Sequence, residues 1–227
     1  MVDSLSHRLW PIDLVRGLAV IGMVVYHLVF DLYLLGESRL DPFSLPLIIF
    51  ARSIASVFLF LVGVSFYLSK EKSPNTTHFF LRTLKRSLVI FFAASLVSLV
   101  TFLIDPNLTV RFGILHLISV SLLLLLPLSL INSSFPLLII TSLFFFIPRP
   151  APILPTFDYY PVFPWFGVAL LGLVLAQKIP LTKGNRVPPP LLTPFLFLGR
   201  HSLAAYLLHQ PILLLALRFI SVYPFPF

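Results

Sequence analysis

The chain has 227 residues, of which 58% are apolar and only 11% charged; it carries a net charge of +8 and contains no cysteine. Soluble domains carry roughly 25% charged residues, so a water-soluble globule is excluded, and no nucleic-acid partner is expected. The absence of cysteine excludes disulfides, thiolate metal sites and thiol nucleophiles, which leaves His, carboxylates, Ser, Tyr, Arg and Lys to carry any chemistry.

Seven apolar segments follow in chain order, near 12–35, 43–69, 84–104, 112–131, 134–147, 162–178 and 196–222. Runs such as SLLLLLPLSLI show no two-residue alternation, so helices rather than barrel strands are expected. The pattern predicts an all-α fold: a polytopic membrane helix bundle of about seven transmembrane helices, forming a single membrane-embedded domain over residues 1–227. The first segment is too long and too charged for a signal-peptide core, and is expected to stay as a helix. The fifth is short: its 14 residues span about 21 Å of a hydrocarbon core roughly 30 Å thick, as a half-helix or a thinned span. Pro161 and Pro164 suit the start of the sixth segment, Pro188 to Pro190 stiffen the loop after it, and Pro211 is expected to kink the seventh.

Loop charges orient the segments. The second loop carries Lys70, Lys72, Arg82, Lys85 and Arg86 against Glu71, and the last carries Lys178, Lys183, Arg186 and Arg200 with no acid. The other loops are near neutral. The positive-inside rule makes the two basic loops cytoplasmic, so the N-terminus is expected inside, the C-terminus outside, and the chain multi-pass in the plasma membrane.

The first segment, IDLVRGLAVIGMVVYHLVFDLYLL, holds Asp13, Arg16, His27 and Asp31 where lipid favours apolar side chains. Arg16 and His27 are eleven residues apart, about 20° past three full turns, so they share a helix face about 16 Å apart in depth. Asp31 follows His27 by one turn on the same stripe. A neutral imidazole near pH 7 can act as general base, and a carboxylate hydrogen-bonded to its far nitrogen would stabilise the imidazolium. His27 and Asp31 are therefore the candidate catalytic pair, and one-turn spacing puts direct contact between them within reach.

The stretch IDLVRGLAVIGMVVYH resembles the Arg-x10-His signature of integral-membrane acyltransferases. FLFLVGVSF, RFGILHLISV, DYYPVFPWFGVALLG and LGRHSLAAYLLHQP, in that order, resemble the heparan-alpha-glucosaminide N-acetyltransferase catalytic-domain family in its short prokaryotic form. The resemblance implies an enzyme that moves an acyl group, acetyl by family, from cytoplasmic acyl-CoA to a hydroxyl or amine acceptor, a sugar or glycan, on the outer side of the bilayer. Acetyl-CoA is then a substrate, with no tightly bound cofactor and no metal. The larger lysosomal relatives place no histidine at this spacing, so the role of His27 comes from the wider acyltransferase signature. Homo-oligomerisation is left open.

Near the inner face, Arg16, Arg82, Lys85, Arg200 and His201 suit the phosphates of acyl-CoA, although basic cytoplasmic loops also follow from topology alone. On the outer side, Arg52, Arg111, His116, Asp158 and Trp165 are candidates for binding the acceptor or stabilising an oxyanion; Trp165 with Tyr159 and Tyr160 looks most like an interfacial aromatic belt, on which a sugar acceptor would also stack. His209, beside Gln210, suits helix packing as well as chemistry. Two other classes compete. A proton-coupled transporter would use His27 and Asp31 as a relay, and a b-type haem protein would draw axial ligands from His27, His116 and His209.

Overall fold

A computed structural model describes residues 9–107, 109–131, 133–152, 156, 158–178 and 187–220. Among them the chain forms eight α-helices: α1 Trp10–Leu34, α2 Leu45–Glu71, α3 Thr76–Ile104, α4 Ile114–Leu128, α5 Ser134–Phe146, α6 Val162–Lys178, α7 Thr193–Arg200 and α8 Ser202–Ile220. A single 3-10 turn, Pro190–Leu192, leads into α7. The described residues form no strand, only one isolated parallel bridge between Phe112 and Tyr159. The fold is thus an all-helical polytopic membrane architecture.

Local chemistry sets the helix ends. Proline opens α1 in its first turn, where its missing N–H costs nothing. At the other end Gly36 adopts φ +76°, its N–H bonds Tyr33 O and the Glu37 N–H bonds Leu32 O, the paired pattern that closes a helix through a left-handed residue. Asn75 caps α3 by accepting the His78 N–H at 2.7 Å. Phe163 is extended, at φ −95° and ψ 129°, so the regular part of α6 begins at Pro164.

Four helices, α1, α2, α3 and α8, are long and apolar enough to cross a membrane. The other predicted spans are shorter, with α4, α5 and α6 running to 15, 13 and 17 residues; these reach about 20 to 26 Å. The segment expected at 112–131 is shortened because residues before Ile114 enter the bridge to Tyr159 instead. The last segment divides: the helix breaks at His201, with φ −109° and ψ 27°, and α8 then runs unbroken through Pro211. Lys183 and Arg186 of the second basic loop lie outside the described residues.

The surface has the inverted character that lipid demands. On α3, Phe92 is 67% exposed and Leu103 73% exposed, whereas the small polar Thr83 and Ser87 are buried. Without an apolar driving force between helices, small residues and hydrogen bonds do the packing. Ser87 Oγ donates to Ser119 O at 2.9 Å, and Ser119 Oγ donates back to Ser87 O at 3.0 Å, stitching α3 to α4.

The helices group into two compact units. One comprises α1, α2 up to Phe58, α7 and α8; the other comprises α2 from Leu59 together with α3 to α6. In the second unit Leu59, Leu117, Leu125, Leu137, Leu170 and Val174 are completely enclosed. There α2 and α6 touch at glycines: a Cβ on Gly63 would fall on Ala169 O and one on Gly172 on Phe60 O. In the first unit α1 and α7 meet in the same way, a Cβ on Gly17 falling on Phe195 O and one on Gly199 on Asp13 O. That backbone contact positions the polar groups described next.

Candidate functional site

The polar residues of the first unit gather at two levels along α1. At the first level Asp13 is buried, 2% exposed, between two guanidiniums. Arg16 Nη1 lies 3.3 Å from Asp13 Oδ1, and Arg200 Nε lies 3.5 Å from Asp13 Oδ2. Arg16 Nη1 also approaches Gly199 O at 3.5 Å. The glycine contact between α1 and α7 is what lets Arg200, at the last position of α7, reach a carboxylate on α1. Two of the five residues expected to bind acyl-CoA, Arg16 and Arg200, are therefore brought onto one carboxylate. His201 follows them in the chain, exposed, its Nδ1 bonded to Phe197 O at 3.0 Å and its ring against Phe197. Arg82 and Lys85 are exposed on α3 in the second unit.

The second level lies eleven residues further along α1. His27 Nδ1 is 2.9 Å from Met23 O. A carbonyl oxygen can only accept, so in the neutral ring the proton sits on Nδ1 and Nε2 presents its lone pair. The His209 ring packs edge-on against His27, with centroids 4.6 Å apart and planes at 76°. Its Nδ1 is 2.6 Å from Tyr206 O, which fixes the same tautomer. An iron held between two axial imidazoles would keep their centroids further apart than this.

Asp31, 4% exposed, does not turn to His27. Gln210 Nε2 donates to Asp31 Oδ1 at 2.8 Å and to Oδ2 at 3.0 Å. The direct His27–Asp31 contact that one-turn spacing allowed is replaced by a bond from α8. The reason is geometric: the His27 Nδ1 is occupied by its own helix, and a primary amide from α8 reaches the carboxylate first. Sequence reasoning gave Asp13 and Gln210 no role in the site, and for His209 it offered helix packing, chemistry or haem ligation without a partner. The signal for Asp13 was its position one turn before Arg16, and for the other two the dipeptide His209-Gln210 inside an apolar helix.

The outer candidates belong mostly to the second unit. Asp158 Oδ2 accepts the Ile114 N–H at 3.4 Å, supplying the cap that Gly113 has no side chain to provide. Gly113 lies close against this carboxylate: a Cβ there would sit 2.9 Å from the same oxygen, which would have to shift. Burial of the Asp158 carboxyl pushes its pKa up to about 6, against the opposing pull of the Ile114 N–H, the Arg149 charge and the Tyr159 backbone. Arg149 Nη2 donates to Tyr159 O at 2.7 Å. Arg111 is exposed, turned to Pro106 O at 3.3 Å. His116 stacks on Phe112 and meets Phe91 edge-on. Trp165 is 9% exposed, lies against Tyr160, and its buried Nε1 has no hydrogen-bond partner among the described residues. Arg52, in the first unit, is exposed on α2.

The described residues contain no group of three or more His, Asp or Glu arranged to hold a metal ion. Comparison with curated proteins and with solved structures gives no match. Residues 8–211 match the family model described as heparan-alpha-glucosaminide N-acetyltransferase, catalytic, a span that holds both polar levels of α1 with their partners on α7 and α8; the chain belongs to this family of membrane acetyltransferases.

Proposed function

We propose that the chain transfers an acyl group, acetyl by family, from cytoplasmic acyl-CoA to a hydroxyl or amine of a sugar or other polar acceptor on the outer side of the bilayer. The observation that carries this reading is the His27 imidazole. Its tautomer is set by Met23 O, leaving Nε2 as a base, at a depth about 16 Å beyond the Arg16–Asp13–Arg200 group. The two levels match the two ends of the reaction: an anionic donor held at the cytoplasmic end and proton abstraction deeper in the bilayer.

Arg16 and Arg200 are the proposed contacts for the CoA phosphates, because guanidiniums already fixed by a carboxylate lose little freedom on binding a second anion. Arg82, Lys85 and His201 are proposed for the same ligand from their basic, cytoplasmic sequence context. Asp31 supports the site through Gln210 rather than by touching His27. Arg52, Arg111, His116, Asp158 and Trp165 are proposed as acceptor-side residues from their predicted outer location; of these, Trp165 has a buried donor in need of a partner.

The test is acyl transfer by purified protein in liposomes, with acetyl-CoA labelled in its acetyl group outside or inside and glucosamine as the probe acceptor. Thiol release together with labelled glucosamine is the expected result. Unchanged acetyl-CoA with an intact fold overturns the reading.

A further inference from the structure

Acyl transfer as proposed obliges His27 to take up a proton and then lose it. The acceptor X–H attacks the thioester carbon, the X–C bond forms, the C–S bond breaks with its electron pair going to sulfur, and the proton moves to His27 Nε2. The carboxylate that would ordinarily steady such an imidazolium is engaged with Gln210, and the His27 Nδ1 faces a neutral carbonyl. What lies against the His27 ring is His209.

His209 Nε2 is enclosed and has no hydrogen-bond partner among the described residues, although its Nδ1 is satisfied by Tyr206 O. Gln210 Oε1, on the next residue, is a second enclosed acceptor without a partner among the described residues, and it is held in place because Asp31 grips the amide nitrogen of the same side chain. Buried acceptors are almost always satisfied, so each exception calls for an explanation, and a catalytic role is one. The charged and titratable neighbours on the contacting elements are Asp31, Tyr26 and Tyr206.

We infer that, on the acyltransferase reading, His209 is a second catalytic imidazole, whose Nε2 relieves His27 of the acceptor's proton and delivers it to the departing thiolate. The sum is acyl-CoA plus acceptor giving acylated acceptor plus CoA thiol, with both imidazoles returned to neutral and no further reactant consumed. Edge-on contact makes double protonation costly, so the pair carries at most the one proton taken from the acceptor at any step.

Steady-state kinetics on His209→Asn and His27→Ala, with folding checked by thermal melting, separates the alternatives. The Asn side chain keeps a donor for Tyr206 O while removing the base. The expected result is a fall in kcat of about 10²-fold or more for His209→Asn with the acetyl-CoA KM unchanged, and partial recovery of His209→Ala by added imidazole. A wild-type kcat for His209→Asn, with His27→Ala inactive, overturns the role of His209 and leaves the acyltransferase reading standing. The imidazole titrations are followed in parallel by nitrogen NMR. A His209 titration that moves when His27 is replaced, together with the lowered kcat of His209→Asn, is the expected result, and one that does not move overturns the pair.

Discussion

Gln210 Nε2 bridges both oxygens of Asp31, at 2.8 and 3.0 Å, and so ties α8 to α1 across 179 residues of sequence. Replacing Gln210 by Leu leaves a buried carboxyl without its donor, a loss of about 1 to 3 kcal/mol in stability. Asp31→Asn keeps an amide oxygen for one of the two bonds, so the loss is smaller, about 1 kcal/mol. Replacing both residues by Leu should restore most of the stability. Thermal melts of the three variants in one detergent check the order, and a Gln210→Leu protein as stable as wild type removes the bond from the account of the fold.

The contact between Gly17 and Gly199 predicts that alanine is too large at either place. The added methyl of Gly199→Ala would overlap Asp13 O, and that of Gly17→Ala would overlap Phe195 O, both backbone atoms that cannot move aside alone. The helices must separate, at about 1 to 3 kcal/mol. Separation also draws Arg200 away from Asp13. Lowered melting temperature and weaker CoA binding should therefore appear together in Gly199→Ala, and calorimetry reads the second effect.

Asp13 is predicted to act on the donor without touching it. Asp13→Asn loses the charge that orders Arg16 and Arg200, while Arg16→Ala removes one guanidinium outright. One charge-assisted contact is worth about 1.5 to 3 kcal/mol, so Arg16→Ala should weaken CoA binding by roughly 10- to 100-fold. Asp13→Asn should weaken it less. Equal affinity in Arg16→Ala and wild type would reassign Arg16 to anchoring at the lipid surface.

Much of this arrangement is legible in the chain. Seven apolar runs locate the helices of the fold, although the last run covers two of them, α7 and α8, and the eleven-residue spacing of Arg16 and His27 gives two levels on α1. Spacing on one helix says nothing about what another helix brings. Asp31 stands one turn from His27, yet its partner comes from α8, and Asp13 acquires Arg200 only because two glycines let α1 and α7 touch. The break at His201 was hidden as well: apolar residues run on both sides of it in LGRHSLAAYLL, and the helix stops there rather than at Pro211, which α8 runs through. Loop charge located Asp158 on the outer side of the predicted topology but could not reveal that its carboxylate caps a helix in a different part of the sequence.

That cap gives a prediction about pH. Asp158 titrates near 6 in the folded protein, above its ordinary value of 3.8, because burial opposes ionisation more than the Ile114 N–H and Arg149 favour it. A raised carboxyl pKa means that the folded state holds its proton more tightly than the unfolded chain does. The stability contributed by the neutral form is then fully present below about pH 4 and is lost as pH rises through about 6. Wild-type melting temperature should fall across that window, and Asp158→Asn, which cannot ionise but still offers an oxygen to the Ile114 N–H, should flatten the curve there. Melts at half-unit steps from pH 4 to 7.5 provide the measurement; a variant that keeps the full wild-type slope would place the titrating group elsewhere.

The orientation of the chain yields the last prediction, and the absence of cysteine makes it directly measurable. If the basic loops set the topology, single cysteines replacing Lys72 and His201 are labelled by an impermeant reagent only from the cytoplasmic side, and one replacing Arg111 only from outside. The same orientation decides whether the Arg16–Asp13–Arg200 group can meet cytoplasmic acyl-CoA, since Arg200 immediately precedes His201 and shares its side of the membrane. The count of crossings enters through α4, α5 and α6: three helices of 15, 13 and 17 residues must among them, with α3, return the chain to the side it left. Labelling of positions 72 and 201 from opposite sides would mean that one of the short helices does not cross. In that case the phosphate-binding role of Arg200 fails, while the imidazole pair deeper along α1 and α8 is untouched by the result.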